Sequence, residues 1–294
     1  MSERVGAVGS LWRFPVKSMR GAPVDHVDVR AGGIVGDRAY ALIDVLTNKV
    51  LSAKTPKIGP QLLSCEAAFV DAPLDGQETP PVRITLGDGT TVTSDMPEAD
   101  TILSKFLERE VTLARQAPTD YTIDQYHPDL EDVDPAGHRD TVTESKLGEA
   151  FFEQIGIPSP VPRGSFFDLF PVSVITTSTL RRFGELSSNS RFDERRFRMN
   201  VVADTSGDDF VENEWVGRSL TLGDTVRLGV ALPDPRCVMT TRAQGDLAAD
   251  LDILKTLIHH NRLDVAGALF PCAGVYAVVE TPGVVKAGDS VSLV

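Results

Sequence analysis

Leu220-Thr-Leu-Gly-Asp-Thr-Val-Arg-Leu228 is the stretch on which the fold class turns. Apolar and polar residues alternate on either side of Gly223-Asp224, as in half-buried antiparallel strands joined by a tight turn. Val285-Lys-Ala-Gly-Asp-Ser-Val-Ser-Leu293 repeats the pattern at the C-terminus. Further strand-like runs are Val8 to Phe14, Ala39–Val45, Cys65–Val70 and Val82–Leu86, the last ahead of Gly87-Asp88-Gly89. Short runs punctuated by turns predict a mainly β protein with a few helices (α+β), built as two β-barrel or β-roll units rather than a doubly wound parallel sheet.

Four segments carry helical spacing. Ser94 or Asp95 is expected to cap a helix starting at Pro97, with Ile102, Leu103, Phe106 and Leu107 on one face. Ser145 is expected to open a second helix bearing Leu147, Phe151 and Ile155 and ending at Gly156. Thr176–Leu186 and Asp250–Ile258 are the others, and all four stripes read as core faces. The acid-rich, proline-containing segment 117–145 reads instead as a loop or excursion between units. This organisation predicts an N-terminal unit over 1–120, an acidic linker over 121–145 and a C-terminal unit over 146–294, with strands open to exchange between the two.

Composition narrows the function classes. The 294 residues include 42 acidic and 29 basic side chains, a net charge of −13, which argues against a general nucleic-acid binder. Three cysteines, at 65, 237 and 272, do not make a secreted disulfide scaffold and point to a reducing compartment. The N-terminal residues lack the apolar core of a signal peptide, and no apolar run is long enough to span a bilayer. A cytoplasmic protein with no membrane partner is the expectation. P-loop, dinucleotide-binding, zinc-protease, Cys-x-x-Cys and nucleophile-elbow motifs are all missing. Adjacent His259 and His260 point in different directions on a helix, which makes them a poor metal pair.

What remains is a set of cations at strand ends and turns. Lys17-Ser18 follows Phe14-Pro15-Val16, and Arg38 follows Gly36-Asp37 ahead of a strand. Arg191, Arg195, Arg196 and Arg198 crowd the approach to Val201-Val202. An extended Phe197–Val202 would put Arg198 and Asn200 on one face, a pairing suited to an oxyanion or the polar edge of a heterocycle. Any one of these cations, taken alone, reads rather as an ordinary solvated strand-edge charge. Cys65 reads as a small buried hydrophobe in a strand, and Cys272 opens an apolar strand. Cys237 sits in Pro233-Asp-Pro-Arg236-Cys237-Val-Met-Thr-Thr241, where the preceding arginine favours a thiolate if the two are also neighbours in space.

Taken in order, these segments resemble MOSC-domain proteins that carry the associated N-terminal β-barrel domain, the group containing the mitochondrial amidoxime-reducing component and its bacterial relatives. The resemblance rests on Leu11-Trp-Arg-Phe-Pro-Val-Lys-Ser18 with Gly21, Gly36-Asp-Arg-Ala-Tyr-Ala-Leu-Ile43, Phe197-Arg-Met-Asn-Val-Val202, Trp215 with Gly217, Leu222-Gly-Asp224, Arg236-Cys-Val-Met-Thr-Thr241 and Gly288-Asp289. It implies a molybdenum cofactor (a pterin dithiolene holding molybdenum, with a phosphate tail) and Cys237 as both catalytic residue and thiolate ligand of the metal. It implies further that Lys17, Ser18, Arg38, Arg198 and Asn200 hold the pterin and phosphate, with Arg236 and Tyr276 at the metal end. A soft metal held by sulfur suits a thiolate, and a phosphate suits Arg and Lys.

Two departures stand out: Pro235, which has no N–H to donate, precedes Arg236, and Leu169-Phe170-Pro171 offers no side-chain hydroxyl. Some relatives carry an iron–sulfur domain, for which this sequence has no cysteine cluster. The resemblance therefore implies a separate redox protein as electron donor. The activity it implies is an oxidoreductase that reduces N-hydroxylated or N-oxide-type small molecules by removing oxygen at molybdenum. The alternative is a carrier of the cofactor or of sulfur without its own turnover.

Overall fold

Seven strands close into a barrel in the order Val172–Thr176, Val201–Thr205, Glu3–Arg13, Ser290–Leu293, Ser219–Leu222, Val226–Pro235, Ala268–Thr281 and back to Val172–Thr176. The computed structural model describes residues 2–294. The alternating stretch behaves as its pattern requires: Leu220 faces Leu228 and Leu222 faces Val226 across the turn. On the other side Leu220 faces Leu293 and Leu222 faces Val291. These leucines and valines are buried and join Val8, Leu11, Val174, Val275 and Ala277 in an aliphatic core. Gly223 carries the turn at φ +60°, and a Cβ there would stand 2.9 Å from the Asp289 carboxylate, so both the conformation and the space favour glycine.

One pair in the barrel is parallel, Val172–Thr176 with Val201–Thr205. Parallel neighbours need a crossover, and the helix Thr177–Leu186 supplies part of it. The Thr176 side chain caps this helix by accepting from the N–H of Thr179. The first strand, Glu3–Arg13, lies between two strands from the other end of the chain and pairs with both. The rest of the N-terminal half builds small sheets, Glu66–Phe69 with Val82–Thr85 and Thr91–Thr93, and Ala41–Asp44 with Val111–Ala114. These enclose a second core of Leu42, Leu62, Leu63, Ile84 and Leu103 among others. The protein is thus mainly β with five α-helices among the described residues. Among the described residues no helix is long and apolar enough to cross a membrane.

Several local expectations need correction. The helix near Pro97 runs Ala99–Leu107 without a side-chain cap, because Ser94 accepts from the N–H of Val82 and Asp95 from the Thr93 hydroxyl. Ser145 lies in a strand, Thr141–Lys146, and the helix begins only after Gly148, at Glu149–Ile155. The segment read as an acidic loop contains a two-stranded ribbon, Thr122–His127 against Thr141–Lys146, with its acidic residues concentrated in the connecting turn. The two halves of Val285–Leu293 do not pair with each other: Gly283–Lys286 joins His26–Arg30, while Ser290–Leu293 enters the barrel. Phe197–Asn200 is not extended, since Arg198 adopts φ +56° and the strand begins at Val201. Cys65 ends the short helix Gly59–Ser64 ahead of its strand and is buried, as is Cys272 within Ala268–Thr281.

Candidate functional site

Between the barrel and the N-terminal sheets lies a cavity of about 220 Å³. Lys17, Ser18, Arg38, Arg198, Asn200, Arg236, Cys237 and Tyr276 all line it, whereas Arg191 and Arg195 pair with Asp246 and Arg196 donates to the Ala248 carbonyl, away from it. Local folding explains how. After the first strand the chain runs beside Arg38–Tyr40: Arg38 donates its N–H to Phe14 O at 2.8 Å, and Lys17 donates to Tyr40 O at 2.8 Å. This puts Lys17 and Arg38 on one wall. Arg198 and Asn200 arrive from the turn ahead of Val201–Thr205. Arg236 and Cys237 arrive from the end of Val226–Pro235, and Tyr276 from the long strand Ala268–Thr281.

Asp37 ties the halves together. Its carboxylate accepts from the Phe14 N–H at 2.7 Å and from Asn200 Nδ2 at 2.9 Å, and it pairs with Arg38. Arg38 donates in turn to the carbonyl of Arg198 at 3.1 Å. Asn200 Oδ1 accepts from the Ser173 N–H at 3.2 Å, which fixes the amide. Ser18 Oγ accepts from the Ala53 N–H at 3.0 Å.

Three of these residues, Ser18, Arg38 and Arg198, hold left-handed φ values of 67°, 47° and 56°. A non-glycine residue there costs on the order of 1–3 kcal/mol. Glycine would remove that cost, so the strain is tolerated where the side chain itself is needed. Three of the eight non-glycine residues with left-handed φ among the described residues thus fall on this one cavity.

The charge is unusual for a protein of net −13. Five cations, Lys17, Arg38, Lys54, Arg198 and Arg236, line the cavity against three carboxylates, Asp134, Asp168 and Asp234. Asp168 bridges two of the cations, pairing with Lys17 and, at 2.9 Å, with Lys54. Burial works against its charge, yet the two lysines outweigh burial and hold its carboxyl far below the usual range. Burial lowers the Lys17 ammonium to about 8, with Asp168 opposing the shift.

Arg198 is 7% exposed and donates to the Met19 carbonyl, but it has no carboxylate partner among the described residues. Burial, and after it Arg38, lowers its guanidinium to about 9. A buried guanidinium without a counterion is costly, and an anion in the cavity would offset that cost.

Arg236 pairs with Asp234 and donates to the Phe197 carbonyl, leaving its Nε and Asp234 Oδ1 buried with no hydrogen-bond partner among the described residues. Burial raises the Asp234 carboxyl to about 6 despite Arg236. Burial, reinforced by Asp234, raises the Tyr276 hydroxyl well above its usual range, so Tyr276 is a donor and not a base. Phe170 stacks on Tyr276 at 5.2 Å, so the segment without hydroxyls contributes an aromatic wall. Next to Pro235, the Arg236 N–H is itself engaged, donating to Pro271 O at 2.7 Å.

Cys237 starts a short helical turn, Val238–Thr241, and is partly exposed to the cavity. The following threonines serve the turn: Thr240 Oγ1 donates to Cys237 O at 3.1 Å and Thr241 Oγ1 to Val238 O at 2.8 Å. Burial pushes the thiols of Cys65 and Cys272 up to about 11 and about 12, which leaves both inert. Lys54, Asp168 and Asp234 escaped the sequence reading. A lone carboxylate inside Phe166-Phe-Asp-Leu-Phe170 is a signal for Asp168, whereas nothing local marks Lys54.

Comparison with known proteins agrees with this architecture. Residues 5–119 match the MOSC N-terminal beta barrel domain, and residues 162–292 match the MOSC domain. The chain is therefore a member of the MOSC family with both domains. It is 24% identical to mitochondrial amidoxime-reducing component 1 of Homo sapiens, over 99% of this chain and 84% of that one. The Mus musculus protein of the same name is 25% identical over 99% and 83%. The YUAD protein from Bacillus subtilis aligns with all of this chain and 96% of its own at a TM-score of 0.43 and 12% identity.

Proposed function

We propose that the cavity binds a molybdenum–pterin cofactor and that the protein is an oxidoreductase reducing N-hydroxylated or N-oxide-type small molecules, fed by a separate electron-donor protein. The observation that carries this reading is that an accessible thiol, Cys237, and a buried guanidinium with no carboxylate partner among the described residues, Arg198, line one strained, cation-rich cavity. That donor set fits the group. A soft thiolate suits molybdenum, and Arg and Lys donors suit a phosphate. The names of the two relatives, as amidoxime-reducing components, support the activity.

When bound, such a cofactor supplies two-electron, oxygen-transfer chemistry. The protein's own part is binding and orientation. Cys237 offers the thiolate. Lys17, Arg38 and Arg198 supply charge for the phosphate, with Ser18 and Asn200 fixing the backbone and amide groups around them. Arg236, held by Asp234, and the protonated Tyr276 stand at the Cys237 end as donors to an oxygen or nitrogen of the substrate. Phe170 and Phe197 keep that end apolar on one side.

The test is metal and pterin analysis of protein made in a molybdenum-replete host, followed by amidoxime turnover with a reduced electron donor. Near-stoichiometric molybdenum with turnover is the expected result. Bound cofactor without turnover by any donor would leave a carrier, and absence of molybdenum and pterin would overturn the proposal.

A further inference from the structure

The ribbon Thr122–His127/Thr141–Lys146 ends in a turn that brings two imidazoles and one carboxylate together. The ligand atoms of His127, Asp134 and His138 all lie within 4.8 Å of one another. His138 Nδ1 is 2.6 Å from Asp134 Oδ2, and His127 Nδ1 is 4.0 Å from the same oxygen. The two imidazole rings are 5.1 Å apart. We propose that these three side chains bind a divalent transition cation of the zinc class, which clips the turn to the rim of the cavity.

Three observations carry this. The first is orientation. His127 is buried, and its Nε2 is 2.8 Å from Thr143 Oγ1, within hydrogen-bonding distance. At 4.0 Å its Nδ1 has no hydrogen bond to Asp134. The ring is thus held as metal-bound imidazoles are, one nitrogen engaged by a supporting group and the other free toward the ligand cluster.

The second is charge. Three other carboxylates of the turn are engaged elsewhere: Asp129 pairs with Arg139 at 2.9 Å, Asp132 with Arg262 at 2.7 Å, and Asp140 accepts from the Tyr126 hydroxyl at 2.9 Å. Asp134 has no Lys or Arg partner among the described residues and is offered to the two histidines alone. The third is geometry. Metal–ligand distances of about 2.0–2.1 Å put tetrahedral ligand atoms roughly 3.4 Å apart, a spacing that the 2.6 and 4.0 Å separations straddle.

Two imidazoles and a carboxylate suit zinc and its neighbours in preference to calcium or magnesium, which prefer oxygen. On binding, the metal takes the Nδ1 lone pair of His138, which binds as the neutral tautomer with its proton on Nε2. His127, Asp134, Pro128 and Val133 all line the cavity, so the clip would order one edge of the cavity mouth.

Cobalt(II) titrated into the full chain carrying Cys237→Ser tests this by visible absorption, with zinc as competitor. The substitution removes the accessible thiol as a rival ligand. The expected result is saturable, zinc-displaced binding that weakens at least about tenfold in Asp134→Asn and in His138→Ala but not in His259→Ala. His138 is 43% exposed, so its truncation leaves the fold intact, and unchanged metal-free thermal unfolding verifies that. Hydrogen exchange of 128–140 should slow when zinc is added. No saturable binding, binding that survives both variants, or binding without protection of the turn would each overturn the proposal. The outcome is independent of the molybdenum reading, because the assay needs neither cofactor nor turnover.

Discussion

The barrel interior and the cavity beside it are built from the same strands on opposite principles. Inside the barrel, Leu220, Leu228, Val174, Val275 and Val291 meet in an aliphatic core, where burial stabilises without the side chains needing hydrogen bonds. A few residues further along the same strands Asp234 is buried beside the partly buried Arg236 and Tyr276, and Arg198 is buried with no carboxylate partner among the described residues. The aliphatic side supplies the stability that lets the other side hold strained and poorly solvated cations. The contrast predicts opposite responses to substitution.

The largest effect is expected at Cys237. Cys237→Ser should cut molybdenum-dependent reduction by more than about 100-fold, beyond what supporting groups of a metal site usually contribute, with thermal unfolding unchanged. Turnover that persists in this variant would break the catalytic assignment. Leu228→Ala, in the barrel, should do the reverse and lower stability by about 2–5 kcal/mol in urea unfolding, while molybdenum content per folded chain stays the same.

Arg198→Met should separate the two principles in one residue. It should weaken binding of inorganic phosphate to the cofactor-free protein by about tenfold or more, the loss of one charge-assisted contact. The stability of the cofactor-free protein should hold or rise, since a buried unpaired charge is removed. A clear loss of stability would show that Arg198 is a structural prop.

The smallest effect is in pH. Lys17, faced by Asp168, Lys54 and Arg38, loses its charge as pH rises through about 8. Phosphate affinity should therefore fall a few-fold between neutral pH and pH 9, and Lys17→Arg should flatten the profile. Its folded value lies below the ordinary lysine value of 10.5, so between about 8 and 10.5 the unfolded chain binds more protons. The Lys17 contribution to stability thus rises with pH across that window.

Legibility from sequence followed the same divide. Alternation around Gly223-Asp224 announced a half-buried hairpin because strand periodicity is local, and the structure pairs Leu220 with Leu228 as expected. The cavity residues were legible as ordered short motifs at strand ends. The mode of presentation was not: Arg198 and Asn200 share the cavity through a left-handed turn, not an extended face. Segment 117–145 misled because the acidic turn dominates its composition and masks the Thr-Val-Thr run of the ribbon. The His127–Asp134–His138 cluster was hidden in the same way.

The sequence by itself determined the mainly β class, the two-unit resemblance and the candidate thiol, since each is written in spacing over a few residues. Only the tertiary structure decided that Lys17 and Lys54 share Asp168, that Asp37 joins Phe14 to Asn200, and that Arg198 is buried with no carboxylate partner among the described residues. Those facts depend on distances of a few ångströms between segments far apart in the chain. Electrostatic pairing and desolvation act through space, and a sequence pattern carries no measure of either.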